Sequence, residues 1–394
     1  MSDYENAKKV TILRFGEIFL KGKNQAIFFR RLIDNVRMFC KHEGIEYESI
    51  KRIGGRIVIL GAHVPDAADV CGIVSASPAW QIRAVHNIEE IKDMLVQIAM
   101  DAGIEAHATI RVTTKRANKR YPHTSQQVSA IVSSFFVKQF GKKVDLKNGS
   151  FEFGIDIIEE HFYLYTMSVA GVGGLPVDHA HKVVTLLSGG IDSPVASFLM
   201  NKRGCYNVLV HFSSRPHTSG QSEEKVKKLA DRLTRFQFRT RLYIVQIGEI
   251  QKYLSTRVHG SLLVIFYRRM MLRIAEMIQR KEHALALVTG DNLGQVASQT
   301  MHNMIATEEA VVAPVLRPLL TYDKMETTKL ARRIGTYDLS VAPFDDCCTL
   351  FVPKHPETKA DKDKVQKIED AILDDKLKGM LKNAMESAEV IEFE

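Results

Sequence analysis

The sequence predicts a protein of several domains, in which small α+β units precede an α/β domain built on a doubly wound parallel sheet. At 394 residues the chain is longer than one hydrophobic core usually serves. Its first 170 residues alternate strand and helix patterns with a hairpin signal, whereas from Val183 onward short apolar strands alternate with helices. The composition, 45% hydrophobic and 25% charged, is that of an ordinary globular protein.

Residues 1–63 are expected to form the first α+β unit. KKVTILRF reads as a strand, and NQAIFFRRLIDNVRMFCKHEG reads as an amphipathic helix that ends at Gly44. The stretch YESIKRIGGRIVILG predicts two strands folded at Gly54-Gly55, because two adjacent glycines suit a tight hairpin turn.

Residues 64–169 are expected to form the second unit. It contains a helix (IEEIKDMLVQIAMDAG), a strand (ATIRVTT), a basic bend (KRANKRYPHTS), a second helix (QQVSAIVSSFFVKQFG) and two further strands (SFEFGIDII and HFYLYTMSVA). Residues 170–181, with three glycines and a proline, are the predicted linker to a third domain at 182–394. That domain has the strands VVTLLS, YNVLVHF, RLYIVQI and ALALVTG.

The net charge of +8 is unevenly spread and makes a polyanionic partner plausible. Residues 101–150 hold nine Lys or Arg against three Asp or Glu, whereas residues 351–394 hold eight against eleven. The basic bend offers cations for phosphates, with Tyr121 and His123 for stacking, although a solvated surface would read the same way. The candidate RNA-binding residues are Arg111, Lys115, Arg116, Lys119, Arg120, Lys142 and Lys143.

The five cysteines are too few and too scattered for a disulfide framework, and neither a secretory leader nor a membrane span is recognisable. We therefore expect a protein of the reducing cytoplasm. Cys40, Cys71 and Cys205 are expected to be packing residues. The vicinal pair Cys347-Cys348 stands in a polar context instead.

TLLSGGIDSPVASFLM, residues 185–200, joins an apolar strand to a glycine turn and a helix. Ser188-Gly189-Gly190 allows a tight turn, with Ser193 as the expected N-cap and Pro194 as the first helical residue. Free amides at a helix N-terminus bind anions, so pyrophosphate or sulfate is expected here, with Asp192 placed to hold a metal ion. The turn lacks the lysine of a Walker loop, which disfavours cleavage at the γ-phosphate; a plain strand-to-helix turn is the alternative.

Two other motifs are set aside. GEIFLKGKN, residues 16–24, has five residues between its glycines instead of four and ends in asparagine, so it fails as a Walker loop. The histidines of HAH, residues 179–181, have no cysteine or carboxylate spaced to complete a metal site.

LLSGGIDSPVA resembles the PP-loop of ATP pyrophosphatases, which adenylate an oxygen and release pyrophosphate. An ordered series of motifs narrows the resemblance to the ThiI-type tRNA 4-thiouridine synthetases, or tRNA sulfurtransferases. Besides GEIFLKGKN, the series comprises VTTKRANKRYPHTS, VHFSSRPHTS, YRRMMLRIAE, TGDNLGQVASQT, PVLRPLLTYDK and FDDCCTLFVPKHPETK. It extends over nearly the whole chain.

The resemblance implies a ferredoxin-like domain at 1–63, a THUMP domain for tRNA at 64–169 and a PP-loop domain at 182–394. It also implies ATP with Mg²⁺ as the nucleotide, no tightly bound cofactor and no metal other than that Mg²⁺. The implied ATP-binding residues are Leu186, Leu187, Ser188, Gly189, Gly190, Asp192, Ser193, His211, Phe212, Arg268, Gly290 and Gln299. Asp192 is implied to be catalytically essential, and TGD replaces the TGE common in relatives.

For sulfur chemistry, the resemblance implies that Cys348 carries or releases the sulfur and that Cys347 is an alternate or resolving thiol. Some relatives carry a rhodanese-like domain with a persulfide cysteine; no such domain is recognised here, which leaves the sulfur route open. A cysteine desulfurase or another persulfide donor is the expected partner, beside tRNA, and the resemblance is compatible with a homodimer. An iron-sulfur version is disfavoured, because a Cys-x-x-Cys pair is absent from the sequence.

The expected reaction is attack of a uridine oxygen on the α-phosphorus of ATP, followed by displacement of AMP by sulfur to form 4-thiouridine. A role in supplying sulfur for thiamine thiazole synthesis stays open. Two alternatives remain at this point: another PP-loop tRNA thiolase or adenylating ligase, and a non-catalytic tRNA-binding protein with an inert turn.

Overall fold

The computed structural model describes residues 7–215, 220–342 and 356–394. Its internal contacts divide the chain into two compact units, with the division between Pro176 and Val177. Each unit has its own sheet.

The first unit contains nine strands and three α-helices in its described residues, joined in places by short 3-10 turns. The strands are β1 (Lys8–Phe15), β2 (Ser49–Ile53), β3 (Arg56–Leu60), β4 (Ile73–Arg83), β5 (Thr109–Arg116), β6 (Lys143–Val144), β7 (Phe151–Ile158), β8 (His161–Tyr165) and β9 (Val169–Ala170). The helices are α1 (Gln25–His42), α2 (Lys92–Asp101) and α3 (Ser125–Phe140).

One continuous sheet runs through this unit in the order β2-β3-β1-β4-β8-β7-β5-β6, with β9 also on β4. The long strand β4 pairs antiparallel with β1 on one side and with β8 on the other. It therefore connects the part before residue 63 to the part after it. The subdivision of this unit at residue 63 stays a prediction.

The hairpin predicted at Gly54-Gly55 is confirmed, with Ile53 opposite Arg56 in the antiparallel pair β2–β3. Both glycines have positive φ, 50° and 78°. A two-residue hairpin turn of this kind needs positive φ at both positions, which glycine adopts without a steric cost.

Helices α2 and α3 cover one face of the sheet and close its core, where Phe136 lies 5.1 Å from Phe153 between ring centroids. Helix α3 begins with a capping box, in which Thr124 accepts from the Gln127 amide and Gln127 accepts from the Thr124 amide. Gly141, with φ of 64°, ends the helix in the left-handed conformation. The basic bend that precedes Thr124 is thereby held against a fixed helix end.

The second unit places helices against a mixed sheet of order β14-β13-β10-β11-β12-β15 in its described residues. The strands are β10 (Leu175–Leu186), β11 (Arg203–Ser213), β12 (Thr240–Gln246), β13 (Ala286–Val288), β14 (Val315–Leu316) and β15 (Glu389–Phe393). The helices are α4 (Asp192–Lys202), α5 (Gln221–Thr234), α6 (Gly248–Ser255), α7 (Leu263–Lys281), α8 (Met301–Glu308), α9 (Lys324–Arg333), α10 (Tyr337–Val341), α11 (Lys362–Ile372) and α12 (Asp375–Glu386).

Parallel ladders join β10 to β13, β13 to β14 and β11 to β12, and β15 adds an antiparallel edge. The predicted parallel sheet is confirmed in these ladders. Strand β10 begins at Leu175, so it runs through part of the predicted linker at 170–181 and across the division between the units. The linker assignment stays a prediction.

A fully buried ion pair joins helix α11 to helix α7. The Arg269 and Glu369 side chains are 0% exposed, and the Arg269 Nε atom donates to a Glu369 oxygen at 2.9 Å. Arg273 donates to the other Glu369 oxygen at 2.9 Å. Burial alone would raise the pKa of Glu369, but hydrogen bonds from Arg273 and Arg269 hold that pKa below its usual value.

Candidate functional sites

The glycine turn lies directly after β10 and is held by serine side chains. The Ser188 amide donates to Ser193 Oγ at 2.8 Å, and the two hydroxyl oxygens lie 3.0 Å apart. The Gly190 amide donates weakly to Ser188 Oγ at 3.3 Å. These bonds close the turn from within, while a β-carbon added to Gly190 would meet only Ser188 Oγ, at 3.5 Å.

The N-cap predicted at Ser193 is wrong, because helix α4 already begins at Asp192. Ser193 lies within the first turn of α4. Its hydroxyl oxygen accepts from the Ser188 amide, which precedes the helix, instead of accepting from the first amides of the helix. Pro194 is the third helical residue and not the first as predicted, but it still lies in the first turn, where its missing N–H costs nothing. The first-turn amides retain the orientation that favours an anion.

Gly290, which follows β13, packs directly against the start of α4. A β-carbon there would lie 2.8 Å from the Ser193 nitrogen and 3.0 Å from the Asp192 carbonyl carbon. Both are backbone atoms that a side-chain rotation cannot move away. Gly290 therefore allows the segment after β13 to pack against the first turn of α4 at the carboxyl edge of the sheet.

A cavity of about 280 Å³ opens beside the turn, lined by Gly190, Ile191, Asp192, Gln295, Lys324, Thr328 and Ser340. Gln295 donates to an Asp192 oxygen at 3.2 Å, and Ser340 Oγ donates to the Gly190 carbonyl at 3.2 Å. Burial raises the pKa of Asp192, while the Gln295 hydrogen bond and the Lys324 charge act in the opposite direction. The turn itself has no lysine, but Lys324 at the start of α9 faces the same cavity.

On the other side of the turn, β11 contributes His211 and Phe212, both buried. His211 Nδ1 lies 3.0 Å from the Leu187 carbonyl oxygen, and the Leu187 amide donates to Val210 at 2.8 Å. Leu187 is buried, whereas Leu186 is only half-buried. The structure thus brings together Leu187 and His211, two of the residues implied to bind ATP.

Arg268 and Gln299 meet at Asp291, the residue after Gly290. Arg268 on α7 donates to Asp291 Oδ1 at 2.5 Å and to the Ser298 carbonyl at 3.3 Å. The Gln299 side-chain amide approaches the same Asp291 oxygen at 3.5 Å. Arg268 on α7 is therefore brought together with Gly290 and Gln299, which belong to one later segment of the chain.

Sequence reasoning missed three residues that complete this arrangement: Asp291, Lys324 and Ser340. Asp291 and Lys324 stand inside the motifs TGDNLGQVASQT and PVLRPLLTYDK, so the motifs marked the segments without indicating the roles. Ser340 stands in no motif. The predicted sulfur residues Cys347 and Cys348 lie outside the described residues.

Of the remaining cysteines, Cys40 and Cys71 are buried, as predicted for packing residues, and Cys205 is half-buried. Burial raises the pKa of the Cys40 thiol to about 11 and also raises the pKa of Cys205. A thiol with a raised pKa is a poor nucleophile at neutral pH.

In the first unit, the basic bend differs from the prediction at Tyr121. Tyr121 was expected to stack on a base, but it is 6% exposed, packs against Phe162 and donates its hydroxyl to the Val85 carbonyl at 2.7 Å. Arg116 donates to the carbonyls of Tyr121 and His123, each at 2.8 Å, so it braces the bend. Lys115, Lys119 and Arg120 are exposed.

Lys142 and Lys143 lie at the opposite end of β5 from the bend. Lys143 on β6 pairs with Thr109, the first residue of β5, whereas the bend follows Arg116, the last. Seven residue steps of extended strand separate these points by about 23 Å. Lys142 donates to the Glu105 carbonyl at 2.8 Å. The two groups of cations are separate patches.

The bend also borders a cavity of about 770 Å³. Its basic and polar lining includes Lys119, Arg120 and Asn118 from the bend, and Arg83 and His86 from the end of β4 onward. Arg83 and His86 carried no signal in the sequence, because β4 was not predicted.

A glycine turn at the carboxyl edge of a parallel sheet, with helix amides and cationic side chains around it, defines the second unit as an anion-binding α/β domain. Known families match each part of the chain. Residues 10–77 match the ThiI ferredoxin-like domain, residues 85–167 match the THUMP domain, and residues 179–373 match the family described as "Thiamine biosynthesis protein (ThiI)".

Two relatives are similar over most of their length. "Probable tRNA sulfurtransferase" of Halothermothrix orenii is 38% identical, with 98% of this chain and 99% of that protein covered. "Probable tRNA sulfurtransferase" of Thermus thermophilus is 41% identical, with 88% of this chain and 85% of that protein covered. The chain belongs to the tRNA sulfurtransferase family.

Solved structures agree with this assignment. The crystal structure of a 4-thiouridine synthetase in complex with RNA and bound ATP is 34% identical, covers 98% of this chain and all of its own, and has a TM-score of 0.86. A Pyrococcus horikoshii protein, PH1313, is 25% identical with a TM-score of 0.64, over 83% of this chain and 99% of its own. The predicted ferredoxin-like, THUMP and PP-loop fold is confirmed. Within the described ranges, the helices are too short or too polar to span a bilayer.

Proposed function

We propose that this protein is an ATP-dependent tRNA sulfurtransferase that adenylates a tRNA uridine and replaces its oxygen with sulfur to give 4-thiouridine. The observation that carries the proposal is the turn at residues 188–193. The space beside the Gly190 α-carbon is open there, and Asp192 and Lys324 line the same cavity. Family membership supports the same reaction.

In the first step, the uridine O4 atom attacks the α-phosphorus of ATP and pyrophosphate leaves. Amides of the turn and of the first turn of α4 would receive the phosphates, and Lys324 would offset charge on the departing pyrophosphate. Leu186, Leu187, His211 and Phe212 would enclose adenosine, with Arg268, Gly290 and Gln299 closing the site. Asp192 fits Mg²⁺, since this ion is commonly held by one or two carboxylates together with substrate phosphates.

In the second step, sulfur at the oxidation level of hydrosulfide attacks C4, and AMP leaves with the former uridine oxygen. The terminal sulfur of a Cys348 persulfide must gain two electrons to reach that level. A second thiol supplies them by attacking the persulfide and forming a disulfide, for which Cys347 is the proposed residue. A cysteine desulfurase or another persulfide donor would reload Cys348, and external thiols would reduce the disulfide.

The further parts of this proposal are a cytoplasmic location, a homodimer, and tRNA contacts through Arg111, Lys115, Arg116, Lys119, Arg120, Lys142 and Lys143. Supply of sulfur for thiamine thiazole synthesis is part of it as well. For tRNA, Lys119 and Arg120 are favoured over Arg116, whose guanidinium already holds the bend.

Two experiments test the proposal. Nucleoside analysis of tRNA from cells lacking the protein should show loss of 4-thiouridine alone. In vitro, Cys348→Ser should still release pyrophosphate with tRNA but form no 4-thiouridine. Cys347→Ser, which removes the proposed second thiol instead, is the variant for comparison. Thiolation at the normal rate by the Cys348→Ser protein would contradict the assignment of Cys348.

A further inference from the structure

Asp291 lies at the centre of a buried polar cluster that joins four segments of the second unit. The residue is 5% exposed. Its Oδ1 atom accepts from Arg268 at 2.5 Å and is approached by Gln299 at 3.5 Å. Its Oδ2 atom accepts from Thr289 at 2.8 Å and from Arg317 at 3.4 Å.

These four donors match what one carboxylate can accept, since its two oxygens offer about four lone-pair sites. Burial alone would raise the pKa of Asp291, but the charge and hydrogen bond of Arg268 lead the effects that hold the pKa below its usual value. The carboxylate is therefore ionised at neutral pH and already engaged on both oxygens. This engagement with protein donors favours a structural role for Asp291 over that of a general base.

Asp291 also holds together segments that come from different elements of the second unit. Arg268 comes from α7, Arg317 follows β14, and Gln299 ends a 3-10 turn. Gly290, the preceding residue, abuts the first turn of α4. Gly290 thus fixes the position of the phosphate turn, and Asp291, the next residue, fixes the side chains of Arg268 and Gln299.

We propose that Asp291 is a positioning residue that aims the Arg268 guanidinium and the Gln299 amide at the bound nucleotide. This inference rests on the proposed function, because it takes ATP to be the ligand of that site. Asp291 itself does not touch the nucleotide. Without it, both side chains keep their chemistry but lose their fixed direction, so nucleotide affinity falls.

The competing role for Asp291 is to hold Mg²⁺ together with Asp192, since the two carboxylates are close enough for Asp291 to raise the pKa of Asp192. The two roles differ in their dependence on the metal ion. A positioning residue affects ATP binding with or without Mg²⁺, whereas a metal ligand affects it only when Mg²⁺ is present.

The test compares Asp291→Asn with Glu308→Gln in the full-length protein. Glu308 is the matched control, because it accepts from Arg317 at 2.6 Å within the same cluster without contacting Arg268. ATP affinity is measured by calorimetry with Mg²⁺ and again with EDTA. Asp291→Asn should weaken ATP binding about tenfold in both conditions, the effect of losing a charge-assisted hydrogen bond, and Glu308→Gln should leave it unchanged.

Weakening of ATP binding that appears only with Mg²⁺ would overturn the positioning role, as would wild-type affinity in the Asp291→Asn protein. If that variant does not fold, Asp291→Glu replaces it: the charge stays but moves by one methylene, so folding should persist while ATP binding weakens in both conditions. Failure of the wild-type protein to bind ATP would instead contradict the proposed function itself.

Discussion

Replacing Gly290 by alanine tests the packing that shapes the phosphate turn. The added β-carbon would lie 2.8 to 3.0 Å from three backbone atoms of Asp192 and Ser193, whereas ordinary contact begins at 3.4 Å. The start of α4 and the loop after β13 must therefore separate by about 0.5 Å. Overpacking of this kind costs about 1–3 kcal/mol.

The same displacement predicts a slower reaction. A misplacement of 1 Å can reduce a rate about 10²-fold, so half that distance corresponds to about tenfold. Pyrophosphate release in the presence of tRNA measures this loss. We expect Gly290→Ala to release pyrophosphate about ten times more slowly at saturating ATP, because the turn is displaced with its chemistry intact.

Fluorescence of Trp80, the single tryptophan of the chain, shows which of the two units loses stability. It lies on β4 of the first unit, so its fluorescence follows that unit, whereas circular dichroism follows both. Gly290→Ala should lower the urea midpoint seen by circular dichroism and leave the Trp80 midpoint unchanged.

Gly379 in α12 is the matched control, since a β-carbon there has nothing within 4 Å. Gly379→Ala should stabilise the second unit by up to about 1 kcal/mol, because alanine favours a helix interior. The reasoning is refuted if Gly290→Ala unfolds at the wild-type urea concentration and releases pyrophosphate at the wild-type rate.

Four further predictions follow the same structure. Gly190→Ala should keep wild-type stability, because its β-carbon meets only Ser188 Oγ at 3.5 Å, yet weaken ATP binding more than tenfold in calorimetry by filling the phosphate space; undiminished affinity would place the phosphates elsewhere. Glu369→Gln should destabilise the second unit by about 3–5 kcal/mol in urea unfolding, since it leaves the buried Arg269 charge under-compensated, and a change below 1 kcal/mol would contradict this. Asp192→Asn should abolish pyrophosphate release without loss of stability at pH 7. Burial raises the pKa of Asp192 on folding, and such a carboxyl stabilises the protein below its unfolded pKa and loses that contribution as pH rises through the folded pKa. The free energy of unfolding, measured from just above the usual Asp pKa of 3.8 upward, should therefore vary less with pH in the variant than in wild type. Lys119→Gln should reduce the slope of log affinity for tRNA against log salt by about one, as expected for one lost phosphate contact, and an unchanged slope would remove Lys119 from the interface.

Local sequence pattern predicted the elements whose causes are local. The hairpin at Gly54-Gly55 follows from two adjacent glycines, and the strand, turn and helix around Gly190 follow from one continuous stretch. The ordered motifs identified the family, and with it the fold. Even so, the start of α4 was misplaced, because the Ser193 side chain bonds backward to Ser188.

Contacts between distant segments were beyond sequence reasoning. Arg268 and Asp291 are 23 positions apart, and no local sequence pattern predicts that they form an ion pair. Tyr121 looked like an exposed aromatic in a basic bend, but its hydroxyl finds Val85, 36 positions away, and its ring is buried. Lys143 was grouped with residues of the bend as a candidate for RNA binding, but the register of β6 places it beside Thr109 at the other end of β5.

The attack of a uridine oxygen on the α-phosphorus can be followed directly with tRNA labelled with ¹⁸O at the uridine 4-position. After one turnover with ATP and a persulfide donor, mass spectrometry of the nucleotide product measures where that oxygen has gone. The account predicts AMP that carries one ¹⁸O atom, released together with unlabelled pyrophosphate and tRNA containing 4-thiouridine. Formation of ADP with orthophosphate, or of AMP without the label, would contradict it.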